Sequence, residues 1–271
     1  MNVFRAACVQ FRSGDDMAEN VRAASTLIRE AKARGADFIA TPENTGLMAA
    51  DGGAKLEKSF PEAADPALPA FRALAQELRV WLLIGSLAIK LSETKTANRS
   101  FLIDPKGAIA ARYDKIHLFD VDLPSGETYR ESATVAGGDR AVTADLPWGK
   151  LGLSVCYDLR FAQLYRALAQ AGAFMLAVPS AFTEITGKAH WHVLLRARAI
   201  ENGAFVIAPA QGGHHPGGRQ TYGHSLIAGP WGEVLAEAGT DPGVIVADID
   251  PARSAEARAH IPSLRHDRPF A

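Results

Sequence analysis

Short apolar runs alternate with amphipathic segments along almost the whole chain, and this alternation limits the fold more than any other feature. In the first example, a strand at residues 3–10 leads to a helix at 17–34 and a strand at 36–41. The helix has Asp15 or Asp16 as its cap and Gly35 at its end. Strand, helix and strand within about 40 residues form a βαβ-type unit, so the pattern predicts an α/β protein.

The same order of elements recurs later in the chain. Further strands are predicted at residues 80–89, 151–155, 173–179, 204–211 and 243–250, and further helices at 65–79, 161–170, 189–201 and 251–260. Two antiparallel hairpins are also predicted, at 98–113 around Pro105-Lys106-Gly107 and at 225–238 around Pro230-Trp231-Gly232. Because the hairpins make the sheet mixed and there are about a dozen strands, two sheets packed face to face inside helical layers fit better than one open sheet.

Length and composition favour one domain over residues 1–271, of which 48% are hydrophobic and 22% charged. The net charge is −1 and the basic residues are scattered, which argues against nucleic acid or an anionic membrane as a partner. The opening MNVFRAACVQF is unlike a signal peptide, and no apolar run approaches 18 residues. We therefore expect a cytoplasmic protein.

The sequence predicts neither a metal nor an organic cofactor. Cys8 and Cys156 are the two cysteines of the chain, too few for a disulfide framework or a cysteine-based zinc site. The patterns GxxxxGK[ST], GxGxxG and HExxH are absent from the sequence. His190 and His192 stand two residues apart on a predicted helix and therefore face different directions.

Cys156 lies where a predicted strand gives way to a predicted helix. The N–H groups of a helix N-terminus favour the thiolate, which is the form of cysteine that attacks a carbonyl carbon. A small buried core residue is the alternative at this point.

Two further polar residues directly follow predicted strands: Glu43 comes after FIAT and Lys115 after AIAARYD. In layered α/β folds the ligand crevice lies at strand ends. A cysteine nucleophile needs a base for its proton and positive charge for the oxyanion, which a carboxylate and a lysine provide. Spacing alone does not bring the two residues to Cys156, and a surface acid and a solvated lysine are the alternatives.

Residues 114–138 break the regular pattern with proline, glycine and many charges. A long irregular segment inside a compact domain is usually functional or disordered. Its isoleucine, leucine, phenylalanine, valine and tyrosine residues argue against disorder, so we expect an ordered, functional segment.

Three segments resemble the signature blocks of the nitrilase superfamily of carbon–nitrogen hydrolases, in the order of that family: TPEN at 41–44, YDKIHLFDVDLP at 113–124 and VCYDLRF at 155–161. The resemblance continues through residues 179–211 and 222–239 to IPSLRHDRP near the end, so it covers essentially the whole chain. It implies an α/β fold in four layers, an α-β-β-α sandwich of two mixed sheets covered by helices. It also implies a homodimer in which two sandwiches stack, or a higher homo-oligomer.

The resemblance also implies roles for individual residues. Glu43 is expected to be the general base and acid, Lys115 the oxyanion stabiliser and Cys156 the acylated nucleophile. The Tyr157 N–H would be a second oxyanion donor, and Glu131 a supporting glutamate, with a surface acid as the alternative. The implied reaction converts a primary amide to a carboxylic acid and ammonia through a cysteine thioester, without metal or cofactor.

The HLFDVDLP, LLRARAIE and PWGEVLA segments resemble the Nit amidase branch. Within that branch the chain is more similar to deaminated-glutathione amidases than to omega-amidases, which act on alpha-ketoglutaramate. Substrates of both groups carry carboxylates, so we expect a cation in the pocket. The candidates are Arg160, His190, His215 and Arg219, and Arg160 has the alternative role of a structural partner for Asp158.

Functions of other classes remain open from the sequence. Another aliphatic amidase or nitrilase-like hydrolase is one alternative. A thiol redox enzyme that uses Cys156 alone is a second, and a non-catalytic binding protein is a third.

Overall fold

The computed structural model describes residues 2–268, which form seventeen strands and six α-helices. Pro269, the last residue of the IPSLRHDRP segment, lies outside this range. The helices are α1 (Met17–Ala33), α2 (Gly52–Glu57), α3 (Ala67–Leu78), α4 (Ala162–Gln170), α5 (Glu184–Asn202) and α6 (Pro251–His260).

The strands of the first half are β1 (Phe4–Gln10), β2 (Phe38–Ala40), β3 (Trp81–Lys90), β4 (Thr96–Ile103), β5 (Ile109–Asp114), β6 (Asp120–Asp122), β7 (Thr128–Arg130) and β8 (Val135–Ala136). Those of the second half are β9 (Val142–Leu146), β10 (Gly149–Leu153), β11 (Ala173–Ala177), β12 (Phe205–Ala208), β13 (Gly212–His214), β14 (Gln220–Tyr222), β15 (Leu226–Ala228), β16 (Val234–Glu237) and β17 (Gly243–Ile249).

Two large mixed sheets form the centre of the fold, as predicted. The first has the order β17-β1-β2-β3-β4-β5, with β8 paired to β4, and the second has the order β16-β15-β12-β11-β10-β9. The βαβ units make β1, β2 and β3 parallel, and likewise β10, β11 and β12. Both predicted hairpins are present as the antiparallel pairs β4–β5 and β15–β16.

The alternation of side chains along β1 shows how the layers are ordered. Ala6 and Cys8 pack in a core that also contains Met175 of β11 from the second sheet, whereas Ala7 and Val9 pack in a separate core with residues of α1 and α3. Successive side chains of a strand point to opposite faces, so β1 has the second sheet on one face and helices on the other. Because α4 and α5 cover the second sheet, the predicted four-layer sandwich is confirmed.

The structure differs from the predicted elements at several places. α5 begins five residues before the predicted start, and it includes Gly187, where a Cβ atom would lie 2.3 Å from the Tyr222 side chain. The short helix α2, the edge strand β9 and the small β13–β14 hairpin were not predicted, because each is too short for a clear periodicity. Residues 114–138 are ordered as expected and contain the β6–β7 hairpin and β8. Within residues 2–268, no helix has the length and apolar character needed to span a bilayer.

Gly85 on β3 lets the two sheets approach each other. A Cβ atom at this position would lie 2.1 Å from the Thr41 carbonyl oxygen and 2.5 Å from the Pro179 Cβ. Thr41 follows a strand of the first sheet and Pro179 a strand of the second. A larger residue would therefore push apart the two chain segments that meet here.

We predict that Gly85→Ala lowers the free energy of unfolding by about 1–3 kcal/mol, the usual cost of overpacking a core. Urea denaturation measures the change. Gly243→Ala, also in a strand, is the matched control, since nothing lies within 4 Å of its added Cβ. We expect it to change the free energy of unfolding by no more than about 0.5 kcal/mol. Equal stability of the two variants would contradict the close packing at Gly85.

Candidate active site

Glu43, Lys115 and Cys156 lie at the ends of strands from both sheets and line one cavity of about 480 Å³. Glu43 lies three residues after β2, Lys115 directly after β5, and Cys156 three residues after β10. All three side chains are buried. The structure thus brings together the three residues that follow predicted strands.

The Lys115 ammonium lies between two carboxylates. Its Nζ is 3.0 Å from Oε1 of Glu43 and 2.7 Å from Oε2 of Glu131. The Asn98 side-chain amide donates to both carboxylates, at 2.9 Å and 3.2 Å, and the Phe119 N–H donates to Glu131 at 2.7 Å. Glu131 is therefore part of the buried network and not a surface acid.

Burial and charge act in opposite directions on this network. Burial raises the pKa of the Glu43 carboxyl, but the Lys115 charge and the neighbouring Cys156 thiol outweigh it and hold that pKa well below its usual range. Burial lowers the pKa of Lys115, whereas the charges of Glu131 and Glu43 raise it further than burial lowers it. The stable charge state is a carboxylate at Glu43 and an ammonium at Lys115.

Cys156 is a neutral thiol in this environment. Burial raises the pKa of the thiol, and the negative Glu43 raises it further, which together outweigh the Lys115 charge. The expectation that a helix N-terminus favours the thiolate is wrong, because Cys156–Arg160 form a 3₁₀ turn and α4 begins only at Ala162. The Cys156 N–H donates to the Pro179 carbonyl at 2.9 Å. A nucleophilic role for this thiol would therefore need a base rather than a helix end.

The backbone is left-handed at two positions of the site and strained at one of them, Cys156, since asparagine tolerates this conformation. Cys156 has a φ of 52° and Asn44, next to Glu43, has a φ of 58°. Left-handed conformations cost non-glycine residues roughly 1–2 kcal/mol and cluster at functional sites. The Gln211 amide donates to the Glu43 carbonyl at 2.9 Å, which helps to hold this segment.

Asp158 links the segments that carry Lys115 and Cys156. Its carboxylate accepts hydrogen bonds from the Tyr113 hydroxyl at 2.7 Å, the Val155 N–H at 2.8 Å and the His117 N–H at 3.0 Å. The alternative that pairs Asp158 with Arg160 is therefore wrong. Arg160 lines the cavity, with its guanidinium 5.4 Å from the centroid of the Phe182 ring.

The two candidate histidines do not line the cavity. His190 is exposed and contacts Arg160 at 3.3 Å. His215 is buried, and its ring nitrogens are bonded to the Ser13 carbonyl and the Thr221 hydroxyl. Burial lowers the pKa of His215 to about 4, so it is neutral and the prediction of a cationic role for it is wrong.

Arg219 and a residue that the sequence analysis missed, Lys55, add positive charge to the cavity. Arg219 donates to the Ala181 carbonyl at 2.6 Å, and its Nε is buried without a hydrogen-bond partner among residues 2–268. Lys55 of α2 donates to the Asn44 side chain at 2.9 Å, and burial lowers its pKa although Glu131 and Glu43 raise it. Over the described range, Lys55, Arg160 and Arg219 make no ion pair with a carboxylate.

Two contributors to the site, Asn98 and Lys55, were missed, and one of them has a sequence signal. Asn98 lies in a predicted strand, where asparagine is depleted, so it was already unusual there. Lys55 has no such sequence signal, because a buried lysine and a solvated lysine look the same in the sequence.

One family accounts for most of the chain. Residues 5–259 match the family described as Carbon-nitrogen hydrolase. The chain belongs to this family. The resemblance of the three signature segments is thereby confirmed.

Relatives of known name match over almost their whole length. The chain is 44% identical to the deaminated glutathione amidase of Synechocystis sp. over 98% of both chains. It is 37% identical to the omega-amidase of Homo sapiens over 99% of this chain and 96% of the relative.

Solved structures of the family share the fold. The NitFhit protein of C. elegans superposes with a TM-score of 0.92 at 35% identity, over 99% of this chain and 66% of that protein. The chain therefore spans just under two thirds of NitFhit. The amidase of Nesterenkonia sp. AN1 superposes with a TM-score of 0.83 at 26% identity, over 98% of this chain and 94% of that one. A glutamate-to-glutamine mutant of that amidase shows covalent addition of the acetamide moiety of fluoroacetamide at its active-site cysteine.

We predict that Cys156 is a thiol at pH 7 and titrates above the ordinary cysteine pKa of about 8.5. Because the Glu43 charge raises this pKa, Glu43→Gln should move the titration to lower pH. The ultraviolet absorbance of the thiolate, measured against Cys156→Ala, follows the titration and removes the contribution of Cys8. A full thiolate at pH 7 would contradict the electrostatics described above.

Proposed function

We propose that the protein hydrolyses an amide of a small carboxylate-bearing substrate through a thioester on Cys156. Deaminated glutathione is the proposed substrate, and alpha-ketoglutaramate is the alternative. The observation that carries the proposal is the buried Lys115 ammonium, held by Glu43 and Glu131 at the cavity that also contains the Cys156 thiol. The names of the relatives support the choice of substrates.

In the first half of the reaction, Cys156 Sγ attacks the amide carbon while Glu43 takes the thiol proton. Oε2 of Glu43 is buried without a hydrogen-bond partner within residues 2–268, so this oxygen is available for the proton. The oxyanion is stabilised by the Lys115 ammonium and the Tyr157 N–H, which donates no hydrogen bond within the described range. The carbon–nitrogen bond then breaks, and the leaving nitrogen takes the proton from Glu43.

In the second half, water attacks the thioester and Glu43 takes a proton from it. The carbon–sulfur bond breaks, the carboxylic acid leaves, and Cys156 regains its proton. A carboxylate of low pKa is a weak base towards a free thiol. Proton transfer must therefore accompany carbon–sulfur bond formation, which makes the sulfur proton more acidic.

The cationic side chains of the cavity would bind the substrate carboxylates. Lys55, Arg160 and Arg219 have no carboxylate partner within residues 2–268, and the buried Nε of Arg219 is a free donor. Burying an unpaired charge is costly, so a substrate carboxylate that pairs with one of them stabilises the complex.

The two proposed substrates differ in the leaving group that hydrolysis releases. The amide bonds of deaminated glutathione are secondary, so its hydrolysis releases an amine. The primary amide of alpha-ketoglutaramate releases ammonia, the product that the sequence analysis predicted, whereas that prediction of a primary amide is wrong for deaminated glutathione. An assay of the proposed function must therefore detect both products.

We predict that kcat/KM is highest for deaminated glutathione, lower for alpha-ketoglutaramate and lowest for an uncharged aliphatic amide, measured side by side by product detection. Arg219→Gln should raise KM for the carboxylate-bearing substrates by roughly tenfold or more, because one charged hydrogen bond contributes about 1.5–3 kcal/mol.

The uncharged amide is the matched control, since its KM should change little in Arg219→Gln. An equal rise in KM for all three amides in Arg219→Gln would contradict a carboxylate-binding role. Turnover by Cys156→Ala would contradict the thioester route. The latter result would leave the redox alternative open for Cys156.

The single domain over residues 1–271, the homodimer and the cytoplasmic location stay predictions. One core that contains residues of both sheets supports the single domain. A redox role for Cys156 receives no support from Cys8, which lies fully buried on β1.

A further inference from the structure

We propose that His192, His224 and Glu237 form a binding site for a divalent transition-metal ion of the Zn²⁺ type, separate from the amide-hydrolysis cavity. His192 Nε2 lies 2.9 Å, and His224 Nδ1 3.0 Å, from the same oxygen of Glu237, Oε1. The three potential ligand atoms all lie within 4.8 Å of one another. These residues do not line the cavity that holds Cys156.

The two nitrogen–oxygen separations suit a tetrahedral ion after a small adjustment. Zinc ligands lie about 2 Å from the metal, which puts two ligands of a tetrahedral site about 3.3 Å apart. The two nitrogen–oxygen separations are a few tenths of an ångström shorter than this. Slight outward rotation of the side chains would admit the ion.

The donor set favours zinc over calcium or magnesium. Imidazole nitrogen suits zinc and its neighbours in the transition series, whereas calcium and magnesium prefer oxygen alone. The three side chains keep 32%, 24% and 36% of their surface exposed, in the order His192, His224 and Glu237, so an ion can enter and retain a water ligand.

The backbone holds the three residues together without an ion. His192 lies on α5, Glu237 ends β16, and His224 follows β14. The neighbouring Trp191 is buried, and its indole N–H donates to the His224 carbonyl at 2.7 Å. A bound ion would therefore connect three separate segments that are already in place, and we expect it to stabilise the fold.

This site departs from the sequence expectation that the chain holds no metal. That expectation considered His190 and His192, which indeed have different neighbours: His190 contacts Arg160, whereas His192 contacts Glu237. The ligands from β16 and from the segment after β14 become visible only when the chain is folded.

The test uses full-length, tag-free protein that carries Cys156→Ala, because cysteine thiols in general can bind zinc and would compete with the proposed site. After treatment with a chelator, calorimetric titration with Zn²⁺ should show that each chain binds one Zn²⁺ ion tightly. Glu237→Gln keeps an oxygen that accepts hydrogen bonds but removes the charge. His224→Asn suits the left-handed backbone at this residue, which has a φ of 54°.

Each of these two variants should lower the Zn²⁺ affinity of this site by on the order of 100-fold or more, since the loss of even outer-shell partners lowers metal affinity by about 10–100-fold. Zn²⁺ at about 100 times Kd should raise the Tm of the Cys156→Ala protein by roughly 5 °C, and that of either variant much less. His260→Gln, which changes an exposed histidine elsewhere, should behave like the parent.

The proposal would be overturned if the parent protein bound no Zn²⁺ ion tightly, or if the parent and both variants bound Zn²⁺ equally well. Loss of tight Zn²⁺ binding in His260→Gln would overturn it too. None of these results depends on amide hydrolysis.

Discussion

Lys115 is only 2% exposed, and an isolated ammonium buried to this degree would lose its proton or destabilise the fold. Glu43 and Glu131 prevent this by pairing with it, while Asn98 and the Phe119 N–H satisfy further carboxylate oxygens. The same contacts fix the charge of Glu43, and burial together with that charge raises the pKa of Cys156 and keeps it protonated. The charge of Glu43, the protonation state of the thiol and the positive charge proposed to stabilise the oxyanion thus all depend on one buried network.

The two sheets are needed because they bring the members of this network from distant parts of the chain. Glu43 and Lys115 follow strands of the first sheet, whereas Cys156 follows a strand of the second. Asp158 connects the two through Tyr113 and Val155, and Gly85 leaves room for the approach. The two-sheet sandwich therefore assembles the site as well as supporting it.

The sequence predicted the fold class, most strands and helices, and the position of Glu43, Lys115 and Cys156 at strand ends, because periodicity and strand length are local properties. It could not predict the neutral thiol, since that depends on burial and on the distance to Glu43. The partners of Asp158 and the inward position of Lys55 were missed for the same reason. His215 was misjudged because its burial and two hydrogen bonds arise from the tertiary structure.

The central claim is that Cys156 carries the acyl group between amide and water. The most direct measurement is mass spectrometry of acid-quenched wild-type protein during turnover of deaminated glutathione, compared with Cys156→Ala and with Glu43→Gln, which lacks the base of both half-reactions. The account predicts an acyl adduct on the peptide that contains Cys156, and no adduct in Cys156→Ala. An adduct on another residue, such as Cys8, or continued turnover by Cys156→Ala would contradict it.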